Sequence, residues 1–463
     1  MRGGWWSFRS TLTVITTAGL AWRVAYVLLT NGTPVLNDGI YYHHGALLLA
    51  DGQGWISPYH AIGGPAIQDA GAPPLWRLAL TIPSALGFTS ILSHQLFAAL
   101  LGAVSIPLTG YACRALAGRR AGLAAAGLAA AYPGYWIYER ELVGETLVVA
   151  SGALLVLLVY RYMAKPTQWR FIATGACVGL ITLTRAEGLF LAPLLLLPLG
   201  LRPRDGWRHR VARLASAGAV ITLVLLPWTA FNLARFERPV LLSNGFGYTA
   251  MLSNCDATYA GSNLGFWDIR CQYAKRDGRL SPRQTSTDDQ ARDDAAMRAI
   301  ALDYAMDNWR AVPRVVAARV GRALGLYQPL RQVDLHNEEK RAQAYIWGDG
   351  GLESPDTGVA GIAPRLWVVA WWPMAAAAIG GVLVLRRRQV PIWPLAMPMV
   401  VVVVAVTVTF GQPRYRAMAE PSTVVLAAAL AGRWWQSGDQ SKPDQSGGDG
   451  IRTHGLFDAT EAL

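Results

Sequence analysis

Charged residues are scarce in this chain of 463 residues, at 16% against the roughly 25% typical of soluble proteins. That shortage excludes an ordinary soluble enzyme. Hydrophobic residues at 52% exclude a disordered chain. Lysine is nearly missing, found only as Lys165, Lys275, Lys340 and Lys442, so arginine carries the basic charge. Internal repeats, a Walker loop, a Rossmann glycine pattern and a metalloprotease motif are all absent. What is present is long apolar blocks without 3.6 or 2 periodicity, such as Ala150–Tyr160 and Val400–Phe410. Such blocks read as membrane spans. The mean hydropathy of only +0.25 requires a sizeable polar portion beside them.

Ten apolar segments can be placed, at about 11–31, 89–112, 121–137, 146–162, 171–186, 188–201, 214–231, 364–385, 391–410 and 417–432. The first is too long for a signal-peptide core, is interrupted by Arg23 and is followed by no A-x-A site, so it reads as an uncleaved span. The fifth and sixth are short and read as a hairpin that need not cross fully. With the N-terminus inside, the short inner loops collect Arg114, Arg119, Arg120, Arg161, Lys165, Arg170, Arg202, Arg204, Arg208, Arg210, Arg213, Arg386, Arg387, Arg388 and Arg433. This obeys the positive-inside rule and places both termini in the cytoplasm. The outer segment 232–363 contains as many acids as bases. The net charge of +12 therefore belongs to the cytoplasmic membrane face, and nucleic acid is disfavoured as a partner.

The expected organisation is a transmembrane module over 1–231 with a first outer loop at 32–88. An outer loop domain at 232–363, C-terminal spans at 364–432 and a disordered tail at 433–463 follow. Cys255 and Cys271, sixteen residues apart on an oxidising face, suit a disulfide worth about 3 kcal/mol. Cys113 and Cys177 fall in spans. In the loop domain, Asp288–Trp309 reads as an amphipathic helix with Thr287 as N-cap, and Pro313–Tyr327 as an interfacial helix.

Ionisable groups near spans are costly, so they carry information. Four clusters fall on the outer side: Asp38; Glu139, Arg140, Glu141 and Glu145; Arg185 and Glu187; and Arg414 with Arg416. Carboxylates opposite arginines at one membrane face suit a substrate with a phosphate and a hydroxyl to be deprotonated. Taken singly, each is as readily a solvated loop end, Glu139 and Glu141 above all, and Glu187 a simple partner of Arg185. Arg23 lies too deep for snorkelling and needs a buried partner, either a carboxylate or a bound phosphate. His43 and His44 beside Asp38 are residue types that suit a divalent metal, although their spacing is not diagnostic.

These residues resemble the polytopic GT-C glycosyltransferases, in the branch with protein O-mannosyltransferases and lipid A aminoarabinose transferases. Asp38, Tyr42, Ala46, Ala50 and Gly52 are similar to its first-loop signature, and Pro73-Pro74-Leu75 to its Pro-Pro-Leu. Gly118–Pro133 followed by Glu145-Thr146-Leu147 resembles the segment leading to its second acidic motif. Thr182–Leu189 resembles its Thr-Arg segment, and Arg414-Tyr415 its late Arg-Tyr motif.

The resemblance implies an all-α GT-C-like bundle of about ten transmembrane helices with a mainly helical loop domain. It implies inverting transfer of a sugar from a polyprenyl-phosphate donor to a lipid, glycan or protein acceptor outside the cytoplasmic membrane. Asp38 would be the base and Glu145 the second-motif acid. Arg185, Arg414, Arg416 and Arg23 would hold the donor phosphate. No cofactor is required, and a divalent metal at His43 and His44 is the alternative. Two positions depart from the family. Gly39 follows Asp38 where many members carry a second acid, and Ala72 replaces the Lys of the aminoarabinose transferases, which argues against that sugar. A transporter or flippase of lipid-linked sugar is the competing class. It would favour inverted repeats and a midplane site, and neither is seen.

Overall fold

The computed structural model describes residues 7–33, 35, 37–273, 289–330, 333–334 and 359–434. Among them the only strand-like feature is an isolated bridge between Ile56 and Gln68; everything regular is helical. The chain is an all-α polytopic membrane protein. Among the described residues, five helical stretches are long and apolar enough to cross a membrane: Phe8–Leu29, Ile91–Ala117, Glu145–Ala164, Trp207–Leu233 and Val359–Arg387.

The elements run as α1 (Phe8–Leu29), α2 (Asp38–Ala50), α3 (Leu75–Ala85), α4 (Ile91–Ala103), α5 (Ser105–Ala117), α6 (Arg119–Ala131), α7 (Ile137–Arg140), α8 (Glu145–Ala164), α9 (Gln168–Thr184), α10 (Leu197–Leu201) and α11 (Trp207–Leu233). The loop region then contributes α12 (Phe246–Leu252), α13 (Asp256–Tyr259), α14 (Gln290–Asp307) and α15 (Val312–Ala323). The chain returns through α16 (Val359–Arg387), α17 (Trp393–Val408) and α18 (Glu420–Trp434).

Local chemistry explains the boundaries. Ser7, Ser90 and Thr167 cap α1, α4 and α9, each hydroxyl accepting a backbone N–H of the first turn. Gly118, at φ +89°, makes the break that folds α6 back on α5. There Gly110 and Gly122 face each other so closely that a side chain on either would meet the other's carbonyl. The hairpin expected after α9 is irregular: a 3-10 turn at Ala186–Phe190, a π turn at Ala192–Leu196, then α10. Pro193 and Pro198, near the starts of the π turn and of α10, remove backbone donors along this stretch.

The main apolar cluster lies among α1, α5, α6, α8, α9, α16, α17 and α18, built on small residues such as Ala112, Ala125, Ala126 and Ala428 with Val148, Phe171 and Val401; smaller clusters form around Trp76 and around Trp228. The loop region is tied to the first loop through the Asn244 N–H to the Ala70 carbonyl (2.9 Å) and through Arg235 to the Trp55 and Asp69 carbonyls. A disulfide joins Cys255 to Cys271, with 5.6 Å between their Cα atoms.

Two details differ from expectation. Asp289 is the N-cap of α14, its carboxylate accepting from Ala291 and Arg292; Thr287 and Asp288 lie outside the described residues, as does the tail from 435. The helix expected to lie in the interface as α15 turns Arg319 and Arg322 inward, while Arg314 stays exposed. Arg319 donates to the carbonyls of Thr407 and Ser253, and Arg322 to those of Leu264 and Ser262. These carbonyls lie in turns and at helix ends, where they lack an intrahelical partner.

Candidate functional site

Four segments far apart in sequence bring their ends together. Asp38 is the first residue of α2, where the helix N-terminus favours a carboxylate. Glu145 is the first residue of α8, for the same reason. Arg185 follows the last residue of α9 in extended backbone, and Arg414 sits in the 3-10 turn Pro413–Met418 between α17 and α18.

Their side chains form one ionic chain. Arg414 Nη2 lies 2.6 Å from Asp38 Oδ2, and its Nε 3.5 Å from Glu145 Oε1. Arg185 donates to Glu145 through Nη1 and to Glu187 through Nε, the latter at 2.5 Å. The Arg185 guanidinium also stacks on Tyr415, 4.8 Å from the ring centre. Exposure is lowest in the middle of the chain: the Asp38 side chain is 48% exposed, Arg414 27%, Glu145 3%, Arg185 17% and Glu187 20%. The most open end is thus the Asp38 carboxylate, and the buried middle a carboxylate braced between two arginines.

The electrostatics follow from that packing. Burial opposes the charge on Arg414, but Asp38 and Glu145 outweigh it and raise its pKa, so it stays a cation. Burial, reinforced by the negative charges of Asp38 and Glu145, pushes the Tyr42 phenol up, so it remains protonated. Three carboxylates face two guanidinium groups. An incoming anion must therefore exchange with a carboxylate rather than enter a vacant cationic pocket.

Gly39 has a steric cause. A side chain there would collide with the Glu141 carbonyl and Val35, so a second acid cannot follow Asp38 in this backbone. Beneath the site, Asp69 accepts from the Tyr41 hydroxyl (2.6 Å) and from Arg77 (2.9 Å), and Arg77 stacks on Trp55. This buried network holds α2 against α3. Asp69 and Arg77 carry no motif of their own, and pattern reading passed over them. Tyr138, whose buried hydroxyl has no hydrogen-bond partner, gave no sequence signal either.

Three of the expected ligand sets lie elsewhere. Arg23 is fully buried and paired with Glu139, with further bonds to the Tyr135 and Ala129 carbonyls; its partner is a carboxylate, not a phosphate. Arg416 turns away from Arg414 to Glu420, 3.5 Å away, because residues two apart on a 3-10 turn point to different sides. His43 is buried with its Nδ1 3.1 Å from His94 Nδ1, and burial together with the two neighbouring imidazoles pushes its pKa down to about 3. No three His, Cys, Asp or Glu side chains converge as a metal site among the described residues, and Asp38 and Glu145 are each already engaged by a guanidinium. That donor set does not fit a divalent ion.

Residues 71–231 match the family described as dolichyl-phosphate-mannose-protein mannosyltransferase. This bears out the GT-C resemblance in the segment that carries Pro73-Pro74-Leu75, Glu145 and Arg185. No curated protein matches the sequence. Among solved structures, the Archaeoglobus fulgidus oligosaccharyltransferase in its apo form is 15% identical with a TM-score of 0.49, over 93% of this chain and 51% of that one. ArnT from Cupriavidus metallidurans, bound to undecaprenyl phosphate, is 17% identical with a TM-score of 0.42, over 91% of this chain and 79% of that one. The chain thus spans about half the length of the archaeal protein.

Proposed function

We propose that this protein transfers a sugar from a polyprenyl-phosphate donor to an acceptor hydroxyl at the outer face of the membrane, with inversion. One observation carries the reading: Asp38, Glu145, Arg185 and Arg414, from four separate segments, share a single ionic chain with an exposed carboxylate at its open end. In the reaction, the bond between the sugar's anomeric carbon and the phosphate oxygen breaks as the acceptor oxygen attacks from the opposite face. The acceptor proton passes to Asp38. The donor is a phosphodiester with one negative charge, and the departing polyprenyl phosphate carries one more, so the leaving group needs added positive charge rather than a proton. Arg414 and Arg185 supply it.

The ion pairing suggests the order of events. Arg414 neutralises Asp38 in the resting site, and a donor phosphate that takes over Arg414 leaves the Asp38 carboxylate available as base. Glu145 keeps both guanidinium groups in place during the exchange.

The match of residues 71–231 to a mannosyltransferase family supports the reaction class. ArnT with undecaprenyl phosphate, and the archaeal oligosaccharyltransferase AglB with dolichol-phosphate, are neighbours whose polyprenyl-phosphate ligands are of the class of the proposed leaving group. The departure at Ala72 directs the donor panel away from aminoarabinose.

The test is sugar transfer in proteoliposomes from a panel of polyprenyl-phosphate sugars, with wild type beside Asp38→Asn. The expected result is consumption of one donor by wild type and none by the variant, with donor binding retained. Lipid-linked sugar that crosses the bilayer without being consumed would replace this reading with a transporter.

A further inference from the structure

Arg416 has no place in the ionic chain, yet it is 1% exposed and fully embedded two residues from Arg414. Its guanidinium lies over Trp371, 4.0 Å from the ring centre, and 5.4 Å from that of Trp367. Its Nη1 donates to the carbonyl of Ala323, the last residue of α15 (3.2 Å). Trp371 Nε1 donates to the next carbonyl, that of Leu324 (2.8 Å). Gly325, at φ +71°, turns the backbone against both side chains, where a Cβ would stand 3.3 Å from Trp371.

The other end of the Arg414 segment is held from the same region. Gly411 N–H donates to the Gly265 carbonyl (2.9 Å), Gly411 is packed against the Arg319 backbone, and Arg319 donates to Thr407 (2.9 Å). Gly265 lies inside the loop closed by Cys255 and Cys271, and Arg322 pins that loop through the Leu264 and Ser262 carbonyls. The turn bearing Arg414 therefore hangs between two attachments, one to Gly265 in the disulfide-closed loop and the other to the end of α15 and Trp371 of α16.

We infer that Arg416 is a positioning residue, which with Trp371 locks the Arg414 turn to the end of α15, so that this end and the Cys255–Cys271 loop, which holds Gly411, together set where Arg414 stands in the site. Its consequence for the donor phosphate rests on the proposed function. A structural role alone would destabilise the protein without acting through Arg414. Coupling between residues in one network shows itself as non-additivity.

The experiment uses the full-length protein in nanodiscs and the variant Trp371→Phe, which keeps an aromatic ring at the position but removes the pyrrole portion with its Nε1 donor; Arg416→Lys, which keeps the charge beside Glu420, is the second. Each is expected to raise donor KM by roughly tenfold with kcat changed by less than about threefold, within the range of coupling between contacting residues. In an Arg414→Lys background, Trp371→Phe is expected to change KM by less than about twofold. Equal effects in both backgrounds overturn the inference. A second readout needs no turnover. Hydrogen exchange of residues 411–418 is expected to rise in Trp371→Phe, and in wild type after dithiothreitol reduction, while 145–164 stays unchanged. Unchanged exchange at 411–418 overturns the inference whatever the kinetics. If wild type transfers no sugar at all, the proposed reaction falls and the exchange measurement alone decides this point.

Discussion

Two of the protein's arginine–carboxylate assemblies use the same residue types and have opposite character. Arg23 and Glu139 are both wholly buried, and backbone carbonyls from Tyr135 and Ala129 take up further guanidinium donors. The Asp38–Arg414–Glu145–Arg185–Glu187 chain begins in a half-exposed carboxylate and has backbone carbonyls at none of its guanidinium bonds described here. The first uses ions to fasten α1 to the segment before α8, and any exchange would leave a charge stranded in an apolar interior. The second is held by ion pairs and the Tyr415 ring and reaches solvent at Asp38, where the proposed donor phosphate would replace one partner. Residue type does not separate structure from function here; access to an exchange partner does.

Removing one carboxylate from each assembly breaks the comparison most sharply. Asp38→Asn is expected to lower turnover by about a thousandfold, in the range lost with a general base, with the thermal midpoint unmoved. Glu139→Ala is expected to destabilise the fold by about 3–5 kcal/mol by stranding Arg23, measured as loss of folded protein on denaturant titration. Equal loss of stability in both variants would end the distinction. Arg414→Lys comes next: loss of the fork that spans Asp38 and Glu145 is expected to raise donor KM by roughly 10- to 100-fold, as expected for a lost bidentate anion contact. Substrate-titration kinetics reads this directly, and an unchanged KM would remove Arg414 from the phosphate site.

A smaller effect belongs to the loop region. Cys255→Ser with Cys271→Ser is expected to cost about 3 kcal/mol through the freed sixteen-residue loop. The thermal midpoint of the oxidised and double-Ser proteins measures it. Smallest is a pH effect at Asp294, whose carboxylate accepts the Gly247 N–H and whose pKa burial pushes up to about 6. A carboxyl with a folded pKa above its unfolded value contributes most stability below about pH 4 and loses it as pH rises through about 6. Asp294→Asn keeps the acceptor and removes the titration. Its midpoint is expected to be flatter between pH 4 and 7 and higher at pH 7; a slope equal to that of wild type would show that the group does not titrate there.

Much of this architecture was legible along the chain because membrane burial is a one-dimensional signal. Apolar runs of about twenty residues and arginine-rich short loops mark spans whatever packs beside them, and each of the ten expected segments overlaps a helix or helical stretch. Asp38, Glu145, Arg185 and Arg414 were legible for a related reason: an ionisable residue at the edge of a span is expensive enough to stand out. Sequence position could not say which of these charges meet. Arg414 and Arg416 look alike in the chain, and only the 3-10 turn sends one to Asp38 and the other to Trp371 and Glu420. Arg23 likewise found Glu139, one of the two acids that looked least informative, because a partner 116 positions away is chosen by helix packing. The sequence by itself determined a many-span helical membrane protein and the small set of charges worth watching. Tertiary structure alone decided the pairing of those charges, since pairing depends on side-chain direction and access, and neither is local.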